Sequence, residues 1–380
     1  MLPFGVGATN RSDITGNWSV PALPHPALHC CCSPQQTFVK NINREFNTTA
    51  KGTTSIYNKH GNVSVNTWNE KKVKFEISIT VNSGSQSDAN KVLDQLNVNF
   101  INTNGYVKAE TVIGTLDANR LQDFKVNYKV WIPADNQLEL SNRYGDSELG
   151  NLNGNLTANI KFGDLKTGNV LADINLKTEF CKAVIPSVQN LYGWANDGQV
   201  ILDNAKMVQL ETERSTCTFR RAEDIRLTSR FDQVDIGVAG NVIVHTKYGS
   251  CNVISARSMI ITSCHSKTVV DHVSQSMNAD LQSGGLEIKN VQNGFDKLEL
   301  SASNAMVKVN LDQTSYCYEL SGNNTRINLP TSEAATTSAG PSAVKINSLT
   351  GSFTKQGCFG ETSTQSKITA KMNNGALVLH

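Results

Sequence analysis

The feature that most constrains this chain is a repeat of about 17 residues that runs from Asn136 to Leu311. When the repeats are aligned on a turn, the turn positions are Gly145, Gly163, Cys181, Gly198, Ser215, Asp232, Gly249, His265, Gly284 and Ser303. Successive turns are therefore roughly 16 to 19 positions apart along the chain. A nearly constant period indicates a stack of similar units, because one unit cannot bury its apolar side alone.

Apolar residues recur at fixed distances from these turns. Five residues before the turn stand Leu140, Ala158, Leu176, Gly193, Leu210, Leu227, Val244, Ile260, Ala279 and Leu298. Four residues after it stand Leu149, Thr167, Ile185, Leu202, Phe219, Ile236, Val253, Val269, Ile288 and Val307. The positions two and seven after the turn are also mostly apolar, with Lys267 and His272 among the exceptions. Polar residues dominate between these columns, which predicts short strands with one buried face on either side of each turn.

These columns predict an all-β chain that folds as a β-solenoid (β-helix) of nine or ten coils, with about 17 residues in each coil. Coils stacked roughly 4.8 Å apart would share one apolar interior and would close their backbone hydrogen bonds with each other. Helical repeats need about 33 residues or more, so the short period excludes them.

Four regions follow from this repeat. Residues 1–36 are proline-rich and lack both strand alternation and a signal-peptide pattern, which favours a disordered leader or a non-native start. Residues 37–132 are predicted to form a β-rich cap region with one short helix at 88–96. The solenoid takes 133–311. The region 312–380 is predicted to hold C-terminal coils and a cap, with a mobile Ser/Thr/Ala/Gly-rich loop at 331–342.

Composition limits the partners of the chain. Charged residues make up 18% of the sequence and the net charge is +2, which offers no electrostatic basis for binding nucleic acid. No apolar run approaches the roughly 18 to 20 residues of a membrane span, so no integral membrane segment is predicted.

The cysteines do not form an obvious disulfide framework. Cys217 and Cys251 occupy the same inward column two coils apart, about 10 Å, which is too far for a bridge. They are therefore predicted to fill the core as small apolar side chains. Cys317 and Cys358 could pair, but the sequence leaves their state open.

No catalytic or metal-binding arrangement emerges from the residue pattern, so no catalytic residue, metal or cofactor is predicted. His245 has Ile261 at the matching place of the next coil, so no histidine ladder forms, and His272 is predicted to be a buried core residue. Asp146 and Asp164 follow their turns in a way that turn chemistry explains better than calcium binding does. The carboxylates of Asp232 and Asp235 lack the acidic neighbours on adjacent coils that a glycoside hydrolase would prefer.

One surface feature is a candidate for binding. Tyr192 and Trp194 place two aromatic side chains where neighbouring coils have a plain strand. Such a bend could stack on a sugar or contact a protein partner. The alternative is that Trp194 covers a local gap in the stack.

The chain resembles a known family in several places. Its turn pattern at 55–68, with Gly61 at the turn and Val63 and Val65 after it, precedes an alternating strand at 73–81 and the helix at 88–96. Together with the Tyr-Gly turns of the repeat, this resembles the putative adhesin family of β-strand-repeat proteins of the Bacteroidota-type cell envelope, over about residues 37–380. The resemblance implies an exported β-solenoid without catalytic residues.

The function that fits these observations is a non-enzymatic, exported β-solenoid that presents a surface for adhesion or cell-envelope interactions. Its partner would be an unknown protein or glycan at the cell envelope, in the periplasm or at the cell surface. Two alternatives remain open: a carbohydrate-active β-helix enzyme and a periplasmic sensor or regulatory partner protein.

Overall fold

The residues that the structure describes form an all-β fold with one helix, as the sequence predicts. The computed structural model describes residues 36–116, 124–312, 314–330, 345–361 and 363–380. The leader predicted at 1–36, apart from its last residue, and the loop predicted at 331–342 lie outside the described residues.

The elements follow in chain order. Those of the N-terminal region are β1 (Gln36–Asn47), β2 (Thr53–Lys59), β3 (Val63–Trp68), β4 (Lys72–Ser83), α1 (Gln86–Leu93), β5 (Leu96–Thr103), β6 (Tyr106–Ile113) and β7 (Phe124–Pro133). Those of the repeat are β8 (Gln137–Arg143), β9 (Ser147–Leu149), β10 (Leu156–Lys161), β11 (Leu165–Lys166), β12 (Val170–Glu179), β13 (Lys182–Asn196), β14 (Gln199–Glu213), β15 (Thr216–Arg230), β16 (Gln233–Lys247), β17 (Ser250–Ile288) and β18 (Lys297–Val309). The C-terminal elements are β19 (Tyr316–Leu329), β20 (Lys345–Phe359), β21 (Lys367–Asn373) and β22 (Ala376–Leu379).

Strands of the repeat pair in parallel with the strand one repeat later. Leu138 of β8 pairs with Leu156 of β10. From β13 to β17 the offset between paired residues is constant and one position shorter, as in the pair Lys182 and Gln199. The offset changes between β12 and β13, where a bulge between Val170 and Asp173 removes one residue from the repeat.

A single residue in the left-handed region turns the chain at each repeat. The residues at this corner are His60, Tyr144, Phe162, Phe180, Asp197, Arg214, Phe231, Tyr248, His265, Ser283 and Asn304, with φ between 49° and 62°. The next residue passes close to the previous repeat. At Gly163, for example, an added Cβ would lie 2.1 Å from the carbonyl oxygen of Gly145, so only glycine fits this backbone.

The inward columns are buried, as predicted, except that Gly193 and Ala205 are half-buried and one stretch of the repeat is displaced. In that stretch the turn lies one residue later than predicted. His265 is the corner residue itself, and Ser266 is the equivalent of Gly249. The buried residues are accordingly Ile261, Thr268, Val270 and Val273, in place of Ile260, Lys267, Val269 and His272.

As at Ser215, the residue after the corner in this stretch is a serine, Ser266. Its hydroxyl is buried and accepts a hydrogen bond from the backbone N–H of Gly249 at 3.1 Å. His272 is therefore half-buried and outside the core column, which corrects its predicted core role. The last turn of the repeat is also displaced. A turn at Ser303 would place the corner at Ala302, but the residue with the positive φ is Asn304, two positions later.

The helix lies earlier than the predicted 88–96. α1 begins at Gln86, because the side chain of Ser85 accepts a hydrogen bond from the backbone N–H of Asp88 and caps the helix. It ends at Leu93. Leu96, predicted to be its last apolar residue, is instead the fully buried first residue of β5.

Antiparallel strands close both ends of the stack. At the N-terminal end β1 pairs with β4, and β4 pairs with β7, while β5 and β6 form a hairpin with the turn at Asn104-Gly105. At the C-terminal end β19 pairs antiparallel with β20, and a disulfide joins Cys317 to Cys358 across this pair.

The final strands do not follow β20 in space. β21 and β22 pair in parallel with β18 on one side and with β19 on the other. Lys367 of β21, for example, pairs with Lys297 and with Cys317. The C-terminal segment thus lies between two strands that come well before it in the sequence.

Candidate binding surface

The corner of the repeat carries a row of exposed aromatic side chains. Tyr144, Phe162, Phe180, Phe231 and Tyr248 are each between 39% and 52% exposed. They all occupy the corner position of their repeats, and the side chain at this position points away from the core. Since paired strands lie roughly 4.8 Å apart, the row from His60 to His265 is roughly 38 Å long. We call this row the corner ladder.

The rings of the corner ladder stack on each other. The centroids of Tyr144 and Phe162 lie 5.1 Å apart with an interplanar angle of 10°, and Phe162 and Phe180 lie 5.1 Å apart at 8°. His60 stacks on Tyr144 at 4.9 Å and 20°. Neighbouring rings cover each other's faces, so the ladder presents ring edges to solvent.

An ion pair divides the ladder into two aromatic runs. Arg214 donates to both carboxylate oxygens of Asp197, at 2.6 and 2.9 Å. This hydrogen bonding lowers the pKa of the Asp197 carboxyl. Beyond the pair the second run continues through Phe231, Tyr248 and His265, with centroids 5.1 Å apart.

Basic side chains flank both runs. The guanidinium carbon of Arg143 lies 4.9 Å from the ring centroid of Tyr144 and 5.7 Å from that of Phe162. The ammonium of Lys247 lies 5.2 Å from the centroid of Tyr248. Burial, and then the charges of Lys59 and Arg143, lower the pKa of His60 at the end of the first run. Cationic side chains thus contact rings of both runs, whereas Glu179 and Glu213 occupy the same column as Arg143 at other repeats.

Aromatic residues are unusual in the left-handed region. For an L-residue with a large side chain this conformation costs about 1 to 2 kcal/mol, and backbone outliers of this kind concentrate at functional sites. Asn304 occupies the same corner, and asparagine tolerates this conformation better. The aromatic residues are therefore not required by the backbone turn.

Tyr192 and Trp194 lie on a different surface. Both project from the outward face of β13 and are half-buried, between the buried residues Leu191 and Ala195. Gly193 separates them because a Cβ there would lie 1.8 Å from the carbonyl oxygen of Leu176. Tyr192 lines a shallow groove of about 250 Å³ together with Arg226 and His245. Their role in binding stays a prediction.

Of the acidic residues considered in the sequence, all but Asp235 serve the turns, and Asp235 accepts from the side chains of Gln233 and Asn252. The Asp232 carboxylate is buried and accepts from the backbone N–H groups of Ser215 and Arg230, at 2.7 and 3.0 Å, and from the hydroxyl of Thr212 at 2.6 Å. Asp146 accepts from the backbone N–H of Asp164 at 2.9 Å, and Asp164 from that of Lys182 at 3.0 Å. These bonds confirm the interpretation of Asp146 and Asp164 as turn residues.

The histidines do not form one cluster. His60 and His265 lie at opposite ends of the corner ladder, and His245 pairs in register with Thr228 and Thr262. Within the described ranges, no group of three or more His, Cys, Asp and Glu side chains could hold a metal ion.

The sequence contains a signal for the corner ladder. The predicted turn positions fall mostly on the residue after the corner, which is usually glycine or a small polar residue. One column earlier, the same alignment contains Tyr144, Phe162, Phe180, Phe231 and Tyr248. Because this column faces solvent, a search for buried apolar columns passes over it.

Comparisons with known proteins agree with the resemblance noted in the sequence. The sequence matches no family model and none of the curated proteins. The structure is similar to that of a putative cell adhesion protein from Clostridium sporogenes, with a TM-score of 0.21 and 8% identity over 90% of this chain and 99% of that chain. A putative adhesin from Bacteroides fragilis gives a TM-score of 0.24 and 10% identity over 90% of this chain and 97% of that chain.

A third similar structure is a putative lipid binding protein from Parabacteroides distasonis, with a TM-score of 0.28 and 13% identity over 66% of this chain and 96% of that chain. The predicted resemblance to putative adhesins of Bacteroidota-type bacteria is confirmed as a likeness. TM-scores of this size carry no argument about the site.

In the part of the chain that the structure describes, no helix is long and apolar enough to cross a membrane.

Proposed function

We propose that the protein is a non-enzymatic β-solenoid, with coils of about 17 residues, that is exported to the cell envelope and uses its corner ladder as an adhesive surface. The parallel pairing of each strand with the strand one repeat later, at a nearly constant offset, supports the solenoid. The disulfide between Cys317 and Cys358 supports an oxidising compartment outside the cytoplasm.

The observation that carries the adhesive role is the exposed aromatic ladder. Aromatic and arginine side chains are enriched at the centres of protein interfaces, and aromatic rings bury a large area at a low cost in conformational entropy. The ladder presents this chemistry along roughly 38 Å on a rigid sheet. A rigid strip of ring edges, with Arg143 and Lys247 against the rings of its two runs, fits an extended protein or glycan surface with negative groups.

The experiment compares binding of four proteins to an array of glycans and extracellular-matrix proteins. The ladder variant carries Phe162→Asn and Phe180→Asn, because asparagine is compatible with the corner, as at Asn304. The bend variant carries Trp194→Ala. The control is Leu171→Ser, which removes an apolar side chain that is 67% exposed and lies away from both surfaces. The fourth protein is the wild type.

We expect the ladder variant to lose at least tenfold in affinity for the partner found on the array, and the control to bind as the wild type does. A loss of affinity in the Trp194→Ala variant alone would assign the adhesive role to the bend at Tyr192 and Trp194 instead. An absence of binding by the folded wild type, or the release of new reducing ends from a glycan, would refute the proposal.

A further inference from the structure

A cavity lies where the second aromatic run of the ladder ends. Tyr248 covers one face of the His265 ring. The next corner residue is Ser283, which has no ring to cover the other face. An open cavity of about 570 Å³ is found here, and His265, Gly284, Gly285 and Met306 line it.

Two small residues create this cavity. Ser283 occupies the corner, where the three preceding repeats carry rings, and Gly285 occupies the outward position that follows the turn. A Cβ on Gly285 would meet only the carbonyl oxygen of Met306, at 3.4 Å. Since this is ordinary van der Waals distance, the backbone does not require glycine, and the space outside it is free.

The cavity is about one ring thick. His265 lies one repeat before Ser283, and Met306 belongs to the strand that pairs with the segment after Ser283. At roughly 4.8 Å per strand, the two residues are about 10 Å apart along the stacking direction, which leaves room for one ring, and Met306 lies two residues beyond the corner residue Asn304. Met306 is 49% exposed, so the side chain that forms this wall of the cavity is open to solvent.

Charged groups border the free edge of this space. Lys267, Glu287 and Lys308 also line the cavity, and Glu287 pairs in register with Lys308. Among the described residues, the side chains of these three make no ion pair and no hydrogen bond. Two ammonium groups and one carboxylate are therefore available to a ligand, with an excess of positive charge.

We infer that this cavity binds an acidic sugar ring, of the uronic acid type, as part of an envelope or surface glycan. The ring lies between the His265 and Met306 walls, its carboxylate accepts from Lys267 and Lys308, and its hydroxyl groups donate to Glu287. A purely aromatic ligand would stack equally well, but it would leave the three charged groups without partners. The volume is within the usual range for small-ligand sites, about 300 to 1,000 Å³.

This inference rests on the proposed surface role and names a ligand class for one end of the ladder. It is tested by calorimetry and NMR titration of the full chain with a hyaluronan tetrasaccharide, which contains glucuronic acid, and with the neutral chitin tetrasaccharide. The variants are Gly285→Leu, which fills the cavity, and Lys267→Met with Lys308→Met, which removes the cationic edge. The matched control is Thr216→Leu, which lies directly after its own turn in β15, as Gly285 does after Gly284.

We expect the wild type to bind the acidic tetrasaccharide at least tenfold more tightly than the neutral one. Both cavity variants should lose at least tenfold in affinity for the acidic ligand, and Thr216→Leu should retain it. Equal binding of the two sugars, or unchanged binding by Gly285→Leu, would overturn the inference.

A further probe is the peptide acetyl-Trp-Glu. Its binding in the cavity, with no response to the acidic sugar, would overturn the sugar assignment in favour of a protein partner. The ladder variant Phe162→Asn with Phe180→Asn leaves this cavity intact. Loss of array binding in that variant with retained sugar binding would separate the two proposals, so the failure of one can be distinguished from the failure of the other.

Discussion

At the scale of single residues, small polar side chains decide how the repeats fit together. Ser215, Asp232 and Ser266 each cap a backbone N–H of the preceding repeat, within 2.7 to 3.3 Å. These contacts satisfy donors that would otherwise be buried without partners. The buried cysteines have a different role. Cys217 and Cys251 are fully buried, as predicted for core fillers, and burial raises the pKa of each thiol to about 12.

This burial predicts a difference in cysteine reactivity. At pH 8.5 Cys217 and Cys251 remain thiols, and their reaction with iodoacetamide should be roughly 1,000-fold slower than for a free thiolate. Cys264 is partly exposed and should react readily. Peptide mapping by mass spectrometry after timed alkylation measures each site separately. In denaturant the three rates should converge, and fast native labelling of Cys217 would contradict the buried placement.

At the scale of elements, the corner ladder combines two opposing effects. Stacking of neighbouring rings contributes roughly 0.5 to 1.5 kcal/mol per pair. The left-handed conformation of each aromatic residue opposes it by about 1 to 2 kcal/mol. Phe162, which stacks on both Tyr144 and Phe180, gains from two pairs for one strained backbone position.

Substitutions of Phe162 separate these effects. We expect Phe162→Ala to lower the free energy of unfolding by about 1 to 3 kcal/mol, because two stacks are lost and the strained φ remains. Phe162→Gly should cost about 1 kcal/mol less than this, since glycine adopts the conformation without strain. Urea denaturation measures both.

The matched control is Phe162→Tyr, which keeps the stack and places at this rung the residue type found at Tyr144. It should change stability by less than about 0.5 kcal/mol. A glycine variant less stable than the alanine variant would contradict the assignment of strain to the corner.

At the scale of the whole molecule, the C-terminal segment completes the stack. β21 and β22 bury Ile368, Ala370, Met372, Leu377 and Leu379 between strands β18 and β19. Without them, the edge of β18 would present unpaired backbone groups over its length. Exposed strand edges of this kind promote association.

Truncation after Ser366 should therefore produce oligomers or aggregates. Size-exclusion chromatography with light scattering measures the mass, and hydrogen exchange measures the protection of β18. The double variant Cys317→Ser with Cys358→Ser serves as the control, because it keeps β21 and β22. It should lose roughly 2 to 4 kcal/mol of stability at the C-terminal end without associating. A monomeric truncated chain with unchanged protection of β18 would refute this account.

The sequence by itself determined the all-β class, the repeat of about 17 residues and most inward columns, because burial on one face of a strand imposes a strict alternation of apolar residues. It also indicated that Cys317 and Cys358 could pair. Only the structure shows that they form a disulfide, because β19 and β20 are antiparallel and place these two residues opposite each other. The predicted boundaries of the solenoid region, after residues 132 and 311, stay a prediction.

Only the tertiary structure decided which residues meet across repeats. The turn was misplaced at His265 because the corner conformation can be occupied by many residue types, and its identity depends on contacts with the next repeat. The corner ladder, the cavity at its end and the position of β21 between β18 and β19 all depend on neighbours far apart in the sequence. Exposed residues are under no burial constraint, so their pattern acquires meaning only when the repeats are stacked.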